Sequence, residues 1–203
     1  MIDFITLCDY LGTFAFAISG IRLASAKQFD WFGAYVVGLV TAVGGGTVRD
    51  LLLNATPFWM EQISYLVISA LALVFVIVFR KQTVTLNNTF FLFDAIGLGL
   101  FTVVGFEKAI YLQHPMWVAV TMGAITGSFG GMIRDILINE LPLIFREDIY
   151  ALACVVGGLV YVLCLQTNMP IMVIQFVAAL SVILTRIIAV KYHISLPVLK
   201  REE

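Results

Sequence analysis

Apolar positions run through this chain in long blocks, separated by short polar or charged stretches. Seven blocks approach the length of about 20 residues that a helix needs to cross a bilayer: 3–24, 31–53, 63–79, 89–110, 116–139, 149–166 and 171–190. The stretches between them are brief, the longest being the polar Arg80–Asn88, so no soluble domain fits between spans. Ten-residue alternation of apolar and polar positions, which the strands of a membrane barrel would show, is absent. The pattern predicts an all-α integral membrane protein with seven transmembrane helices.

The exceptions to the apolar pattern recur. Residues 8–66 are echoed without a gap at 93–151: Asp9 as Asp94, Gly12 as Gly97, Gly20 as Gly105, Gly38 as Gly123, Asn54 as Asn139 and Pro57 as Pro142. Gly45-Gly46-Thr47-Val48-Arg49-Asp50 returns as Gly130-Gly131-Met132-Ile133-Arg134-Asp135. Three spans per copy is an odd number. The second copy must therefore enter the bilayer from the opposite side, related to the first by a pseudo-twofold axis in the membrane plane. The expected division is a single membrane domain over 1–203, with repeat 1 at about 1–85, repeat 2 at about 86–168 and a seventh helix at about 169–192 outside the symmetry. Within the first span of each copy the shared residues fall every fourth position, Gly12, Phe16, Gly20, Ala24 and Gly97, Phe101, Gly105, Ala109. Such residues form one ridge on a helix. Small residues on a ridge let backbones approach closely in lipid, so spans 1 and 4 are expected to pack face to face.

Composition agrees with this reading and narrows the function. Hydrophobic residues make up 61% of the chain, charged residues 12%, and the mean hydropathy is +1.01. A soluble domain carries about twice that charged fraction. A net charge of −1 without a basic cluster argues against nucleic acid as a partner. Cys8, Cys154 and Cys164 lack metal-ligand spacing, and His114 and His193 fall at span ends. With no nucleophile–base pair at depth, neither a metal, a cofactor nor an enzymatic activity is expected. The acidic N-terminus and the Asp9 within the first apolar block indicate a retained helix and not a cleaved signal. Arg22, Lys27, Arg80, Lys81, Arg146, Lys191, Lys200 and Arg201 collect on one side, with little beyond Lys108 on the other. The positive-inside rule then puts the C-terminus in the cytoplasm and the N-terminus outside, in a multi-pass protein of the cell (inner) membrane. Asn87-Asn88-Thr89 matches a glycosylation sequon, but this topology leaves it inside.

The chemistry concentrates at the doubled glycine clusters. Gly44-Gly45-Gly46 and Gly130-Gly131 lie about two-thirds of the way along spans 2 and 5. Each glycine costs about 1 kcal/mol in a helix interior, so a kink or an unwound turn is expected at both. Freed carbonyls are tolerated only against protein or along a water-filled cavity. Facing breaks near the midplane suit passage of a substrate or ion, with Thr41, Thr126 and Ser128 beside them; the plainer alternative is a kink at a tight helix crossing. Arg49-Asp50 and Arg134-Asp135 follow one turn later. Intramembrane charges face a cavity or a partner, and neighbours in sequence point about 100° apart on a helix. Arg49 is therefore expected to reach Asp9 at the outer mouth, and Arg134 to reach Asp94 at the cytoplasmic mouth, as two ion-pair latches. Glu107 and Lys108 read as snorkelling residues. The glycine run is not a phosphate-binding loop, since the following lysine is missing.

The doubled Gly-Gly-x-x-Arg-Asp, the opening Asp9-x-x-Gly12-Thr13-x-x-Phe16-Ala17-x-Ser19-Gly20 and its echo Asp94-Ala95-x-Gly97-Leu98 resemble the prokaryotic trimeric intracellular cation (TRIC) channels, a family also labelled as glycine transporters. The resemblance covers nearly the whole chain. It implies a homotrimer in membrane lipid, with a path for potassium and sodium through each protomer at the hinges of spans 2 and 5. Carried onto this chain, it puts Gly44, Gly45, Gly46, Gly130 and Gly131 at the constriction, with Arg49 and Arg134 beside it. The chain departs from the doubled pattern at Phe129, which stands where the first copy has Gly44 and so narrows or plugs the second hinge. A monovalent cation channel is the leading expectation, because no ring of carboxylates lines the spans. A secondary transporter of glycine or another small zwitterion is the alternative, since inverted repeats and broken helices suit it equally.

Overall fold

A computed structural model describes residues 4–79, 89–146 and 149–196. The Arg80–Asn88 connection, with both sequon asparagines, and Lys81, Lys200 and Arg201 lie outside the described residues. Among the described residues seven long helices follow in order: α1 (Phe4–Ala26), α2 (Trp31–Leu52), α3 (Ser64–Val78), α4 (Thr89–Tyr111), α5 (Met116–Leu137), α6 (Ala151–Leu165) and α7 (Ile171–Lys191). Each end lies within two residues of the span expected from the apolar pattern. Five are long and apolar enough to cross a bilayer on their own, whereas α3 and α6 have 15 residues each. At 1.5 Å per residue those two reach only ~22 Å. Each is preceded by a short turn, the one-turn helix Phe58–Glu61 before α3 and the 3-10 turn Leu143–Phe145 before α6.

The two copies close their helices by the same device. Asn54 after α2 and Asn139 after α5 adopt left-handed backbone conformations, φ 53° and 57°. Asparagine tolerates that region better than most residues. The following amides then fold back, Ala55 N–H onto the Asp50 carbonyl and Glu140 N–H onto the Asp135 carbonyl, each at 2.8 Å. Orphan carbonyls at the helix end are thereby satisfied. Asp50 and Asp135 go on to receive the amides of the next turn on their side chains, Phe58 N–H at 2.9 Å and Leu143 N–H at 3.0 Å.

The ridge expected on spans 1 and 4 forms the centre of the molecule. A Cβ at Gly12 would meet the Phe101 ring on α4, and one at Gly97 would collide with the Phe16 ring on α1. The two rings meet edge to face, 5.2 Å between centroids. Each helix thus lends a glycine to seat the other's phenylalanine. The copies run in opposite directions: Asp9 near the start of α1 shares a cavity with Glu107 and Lys108 near the end of α4. Lys27 just past α1 meets Glu140 just past α5 at 2.6 Å.

The glycine clusters do not break their helices, contrary to the expectation of unwound turns. Helix α2 runs uninterrupted from Trp31 to Leu52 and α5 from Met116 to Leu137, and no glycine among the described residues has positive φ. The physical reason is the crossing of the two helices. A Cβ at Gly45 would overlap the Thr126 carbonyl oxygen on α5, and one at Gly130 would overlap the Thr41 carbonyl oxygen on α2. Backbone therefore lies directly on backbone, and the packing gained offsets the low helix propensity of glycine.

Candidate functional site

Around the α2–α5 crossing the polar side chains turn back on their own helices. Thr41 donates to the Val37 carbonyl and Thr126 to the Met122 carbonyl, both at 2.6 Å, and Ser128 donates to the Ala124 carbonyl at 2.6 Å. All three are buried. A Cβ at Gly44 would lie 3.0 Å from the Ile133 side-chain tip, Gly46 seats the Phe58 ring, and Gly131 seats the Tyr150 hydroxyl. Phe129 is half-buried beside Gly130 in the chain. The sequence places these residues together, and the structure does bring Thr41, Gly45, Thr126 and Gly130 to one point.

Two charged clusters flank this crossing at opposite ends, and they differ. At the Asp94 end, Arg134 is fully buried and its Nη1 lies 2.5 Å from Asp94 Oδ1. The same Nη1 donates to Ser19 Oγ at 2.8 Å, and Tyr150 Oη stands 3.5 Å from Asp94 Oδ1. The guanidinium also lies over the Phe90 ring, 4.9 Å from its centre. This is the pair expected from the sequence. At the Asp9 end the corresponding pair does not form. Asp9 instead accepts a hydrogen bond from Tyr65 Oη at 2.6 Å, and Arg49 pairs with Asp50 at 2.8 Å. Arg134 makes the matching bond to Asp135, 2.9 Å from Nε. The expectation that sequence neighbours would not pair is thus corrected at both sites. The aspartate lies in the last turn of its helix, and the long arginine side chain bends back to meet it.

Cavities open toward these ends. One of about 360 Å³ at the Asp9 end is lined by Asp9, Arg49, Glu61, Tyr65, Glu107 and Lys108 among others. Another of about 250 Å³ at the Asp94 end is lined by Lys27, Asp135, Glu140 and Arg146 among others. Just outside the spans, the Lys27 ammonium donates to Glu140 and its charge adds to that hydrogen bond. Together they hold the Glu140 carboxyl below the usual glutamate range. Arg146 reaches the same carboxylate at 3.5 Å.

Four groups escaped the sequence reading. Tyr65 and Tyr150 occupy equivalent places in the two copies, so the repeat itself carried the signal. Glu107 does not snorkel: it accepts hydrogen bonds from Tyr161 Oη and from Gln175 Nε2, the latter at 2.6 Å, joining α4 to α6 and α7. Arg186, buried in α7, was visible as a charge inside the last apolar block.

Seven helices in two inverted halves, meeting at a glycine crossing between charged clusters, define an inverted-repeat integral membrane protein. The sequence model described as "Glycine transporter" matches residues 6–81 and again 91–166, once per copy. The UPF0126 inner membrane protein YadS of Escherichia coli K12 is 39% identical over 198 residues, 96% of each chain. The UPF0126 membrane protein YvgT of Bacillus subtilis is 38% identical over 157 residues, 76% of this chain and 77% of that one. Among solved structures, the TRIC trimeric intracellular cation channel orthologue from Rhodobacter sphaeroides superimposes with a TM-score of 0.87 at 33% identity, over 93% of this chain and 98% of that one. A second TRIC cation channel, described for its conductance, gives 0.86 at 36% identity over 99% and 100%. The chain belongs to this prokaryotic TRIC family, the one that also carries the glycine-transporter label.

Proposed function

We propose that the protein is a monovalent cation channel, conducting potassium and sodium along a path in each protomer between α2 and α5. One observation carries the reading: the backbones of α2 and α5 touch through Gly45 and Gly130, with cavities bearing charged side chains toward either end. No side chain has to leave such a crossing for it to open. A small separation of the helices exposes the carbonyls of Thr41 and Thr126 to a passing ion, with Gly44, Gly46, Gly131, Ser128 and Phe129 framing the gap. The reading takes the present geometry as a closed state. Its seal is the Arg134–Asp94 pair, supported by Asp135, while Arg49 and Asp50 stand beside an open vestibule at the Asp9 end. With the orientation given by the lysines and arginines, N-terminus outside and C-terminus inside, the sealed mouth faces the cytoplasm. The solved TRIC relatives are described as trimeric cation channels, which supports a homotrimer in the lipid of the inner membrane for this chain also.

A second reading has one observation in its favour. The vestibule at the Asp9 end offers a guanidinium and carboxylates together, as a small zwitterion such as glycine would require. Open at one end and sealed at the other is also the geometry of alternating access. Recording purified protein in a planar bilayer under asymmetric potassium chloride separates the two. A channel gives unitary currents that reverse near the potassium equilibrium potential. A transporter gives no resolved openings and saturable uptake of the zwitterion, a result that would overturn the channel reading.

A further inference from the structure

The seventh helix brings one cation into the bundle for which the repeat has no counterpart. Arg186 on α7 is buried, and its Nη1 donates to the Ile149 carbonyl at 2.9 Å. Its guanidinium lies over two ring faces, 4.9 Å from the centre of Tyr150 and 5.3 Å from that of Phe91. Cation–π attraction of this kind strengthens when water is excluded.

Tyr150 is the repeat equivalent of Tyr65, so the molecule contains its own control. Tyr65 packs against the rings of Phe58 and Tyr10, at 4.4 and 5.6 Å. It has closed fully on its aspartate, 2.6 Å from Asp9, and there the arginine stays with Asp50. Tyr150, drawn under Arg186, has its hydroxyl seated against Gly131 and 3.5 Å from Asp94. In that copy the arginine has taken the aspartate, at 2.5 Å. The two mouths share an aspartate, a tyrosine and an arginine. They differ in which of the last two holds the first; where the arginine does, Arg186 is present, and so is Ser19, whose repeat equivalent is Val104.

We propose that Arg186 is the positioning residue that makes the two mouths unequal: by holding the Tyr150 ring it keeps the hydroxyl at a long 3.5 Å from Asp94, too far to draw that carboxylate from Arg134, and so closes the mouth at the Asp94 end. The inference rests on the reading of the Arg134–Asp94 pair as a seal. Without Arg186, Tyr150 relaxes to the arrangement seen at Tyr65 and competes for Asp94, and the seal loosens.

The test uses full-length protein reconstituted in bilayers. Arg186→Gln raises the open probability roughly fivefold, the population change that one contested hydrogen bond supplies. Adding Tyr150→Phe to Arg186→Gln removes the competing hydroxyl and restores wild-type behaviour, which a merely structural role for α7 would not do. Arg186→Lys, which keeps the charge but cannot span both the ring and the Ile149 carbonyl, falls between wild type and Arg186→Gln; it serves if the glutamine variant does not assemble. A readout independent of conduction comes from Ser19→Cys, placed in a background with the native cysteines replaced by alanine. A water-soluble thiol reagent labels the introduced thiol faster when Arg186→Gln is present. Faster labelling without increased current upholds the positioning role and overturns the seal reading. Unchanged labelling and current, in protein whose Asp94→Asn variant does conduct more, overturns the positioning role alone. Retention of the increase in the double variant overturns it as well.

Discussion

Replacing Gly45 by alanine tests what the glycine cluster is for. A Cβ there overlaps the Thr126 carbonyl oxygen and lies 3.0 Å from its carbon and 3.2 Å from the Gly130 nitrogen. All three are backbone atoms of a continuous helix, so no rotamer change relieves the clash. Carbon atoms pack at about 3.5–4.0 Å, so α2 and α5 must part by roughly 0.5–1 Å, which forfeits a quarter to a half of the dispersion energy of each contact they share. Overpacking costs about 1–3 kcal/mol and lies at the upper end here, while alanine returns about 1 kcal/mol of helix propensity. The net loss is about 2 kcal/mol. Gly130→Ala, the repeat equivalent against the Thr41 carbonyl, should lose a similar amount. Gly44→Ala is the control, because its Cβ meets only the movable tip of Ile133 at 3.0 Å and the Gly130 Cα at 3.7 Å. It should stay within about 1 kcal/mol of wild type, with propensity and crowding nearly cancelling. Equilibrium unfolding of the purified protein in mixed micelles reads all three. Equal stability of Gly45→Ala and Gly44→Ala would refute the backbone crossing.

Asp50→Asn keeps the side-chain volume but removes the carboxylate paired with buried Arg49 and should destabilise the protein by about 3–5 kcal/mol in the same assay, whereas Asp135→Asn leaves Arg134 paired with Asp94 and should lose less. Glu107→Gln replaces a charged acceptor that Tyr161 and Gln175 share; a loss of about 1.5–3 kcal/mol is expected, read as a lower melting temperature. The Glu140 carboxyl is held below its ordinary range by Lys27, so its bridge is intact above the usual glutamate range and is lost as pH falls through the lowered value. The melting-temperature gap between wild type and Glu140→Gln should accordingly favour wild type at neutral pH, close in acid and shrink in high salt.

The spans and their inversion were legible because both rest on simple periodicities. Apolar length located all seven helices, and an odd number of spans per copy required the inversion that the Lys27–Glu140 contact displays. The α1–α4 ridge was equally plain, since Gly12 and Gly97 recur at ridge spacing with Phe16 and Phe101. The glycine clusters misled because propensity alone cannot tell a break from a close approach. Only the opposing carbonyls of Thr126 and Thr41 decide it, and those lie far away in sequence on the other copy's helix. The pairing of Arg49 with Asp50 was hidden because Cβ directions on an ideal helix ignore how far an arginine can curl at a helix end. One difference between the two mouths was legible in the repeat: Ser19, which accepts from Arg134, has Val104 as its equivalent in the second copy. Arg186 could not be read that way, because it stands on the one helix outside the repeat.

The central claim is that cations pass between α2 and α5 and that the Arg134–Asp94 pair closes one mouth. Single-channel recording of Asp94→Asn beside Asp9→Asn tests it most directly. Both variants must first elute as folded oligomer. Asp94→Asn strips a fully buried arginine of one of its two carboxylate partners and should raise the open probability for potassium, whereas Asp9→Asn, whose carboxylate meets Tyr65 and not Arg49, should not. Folded Asp94→Asn protein with no more current than wild type, or an equal increase from Asp9→Asn, would contradict the account.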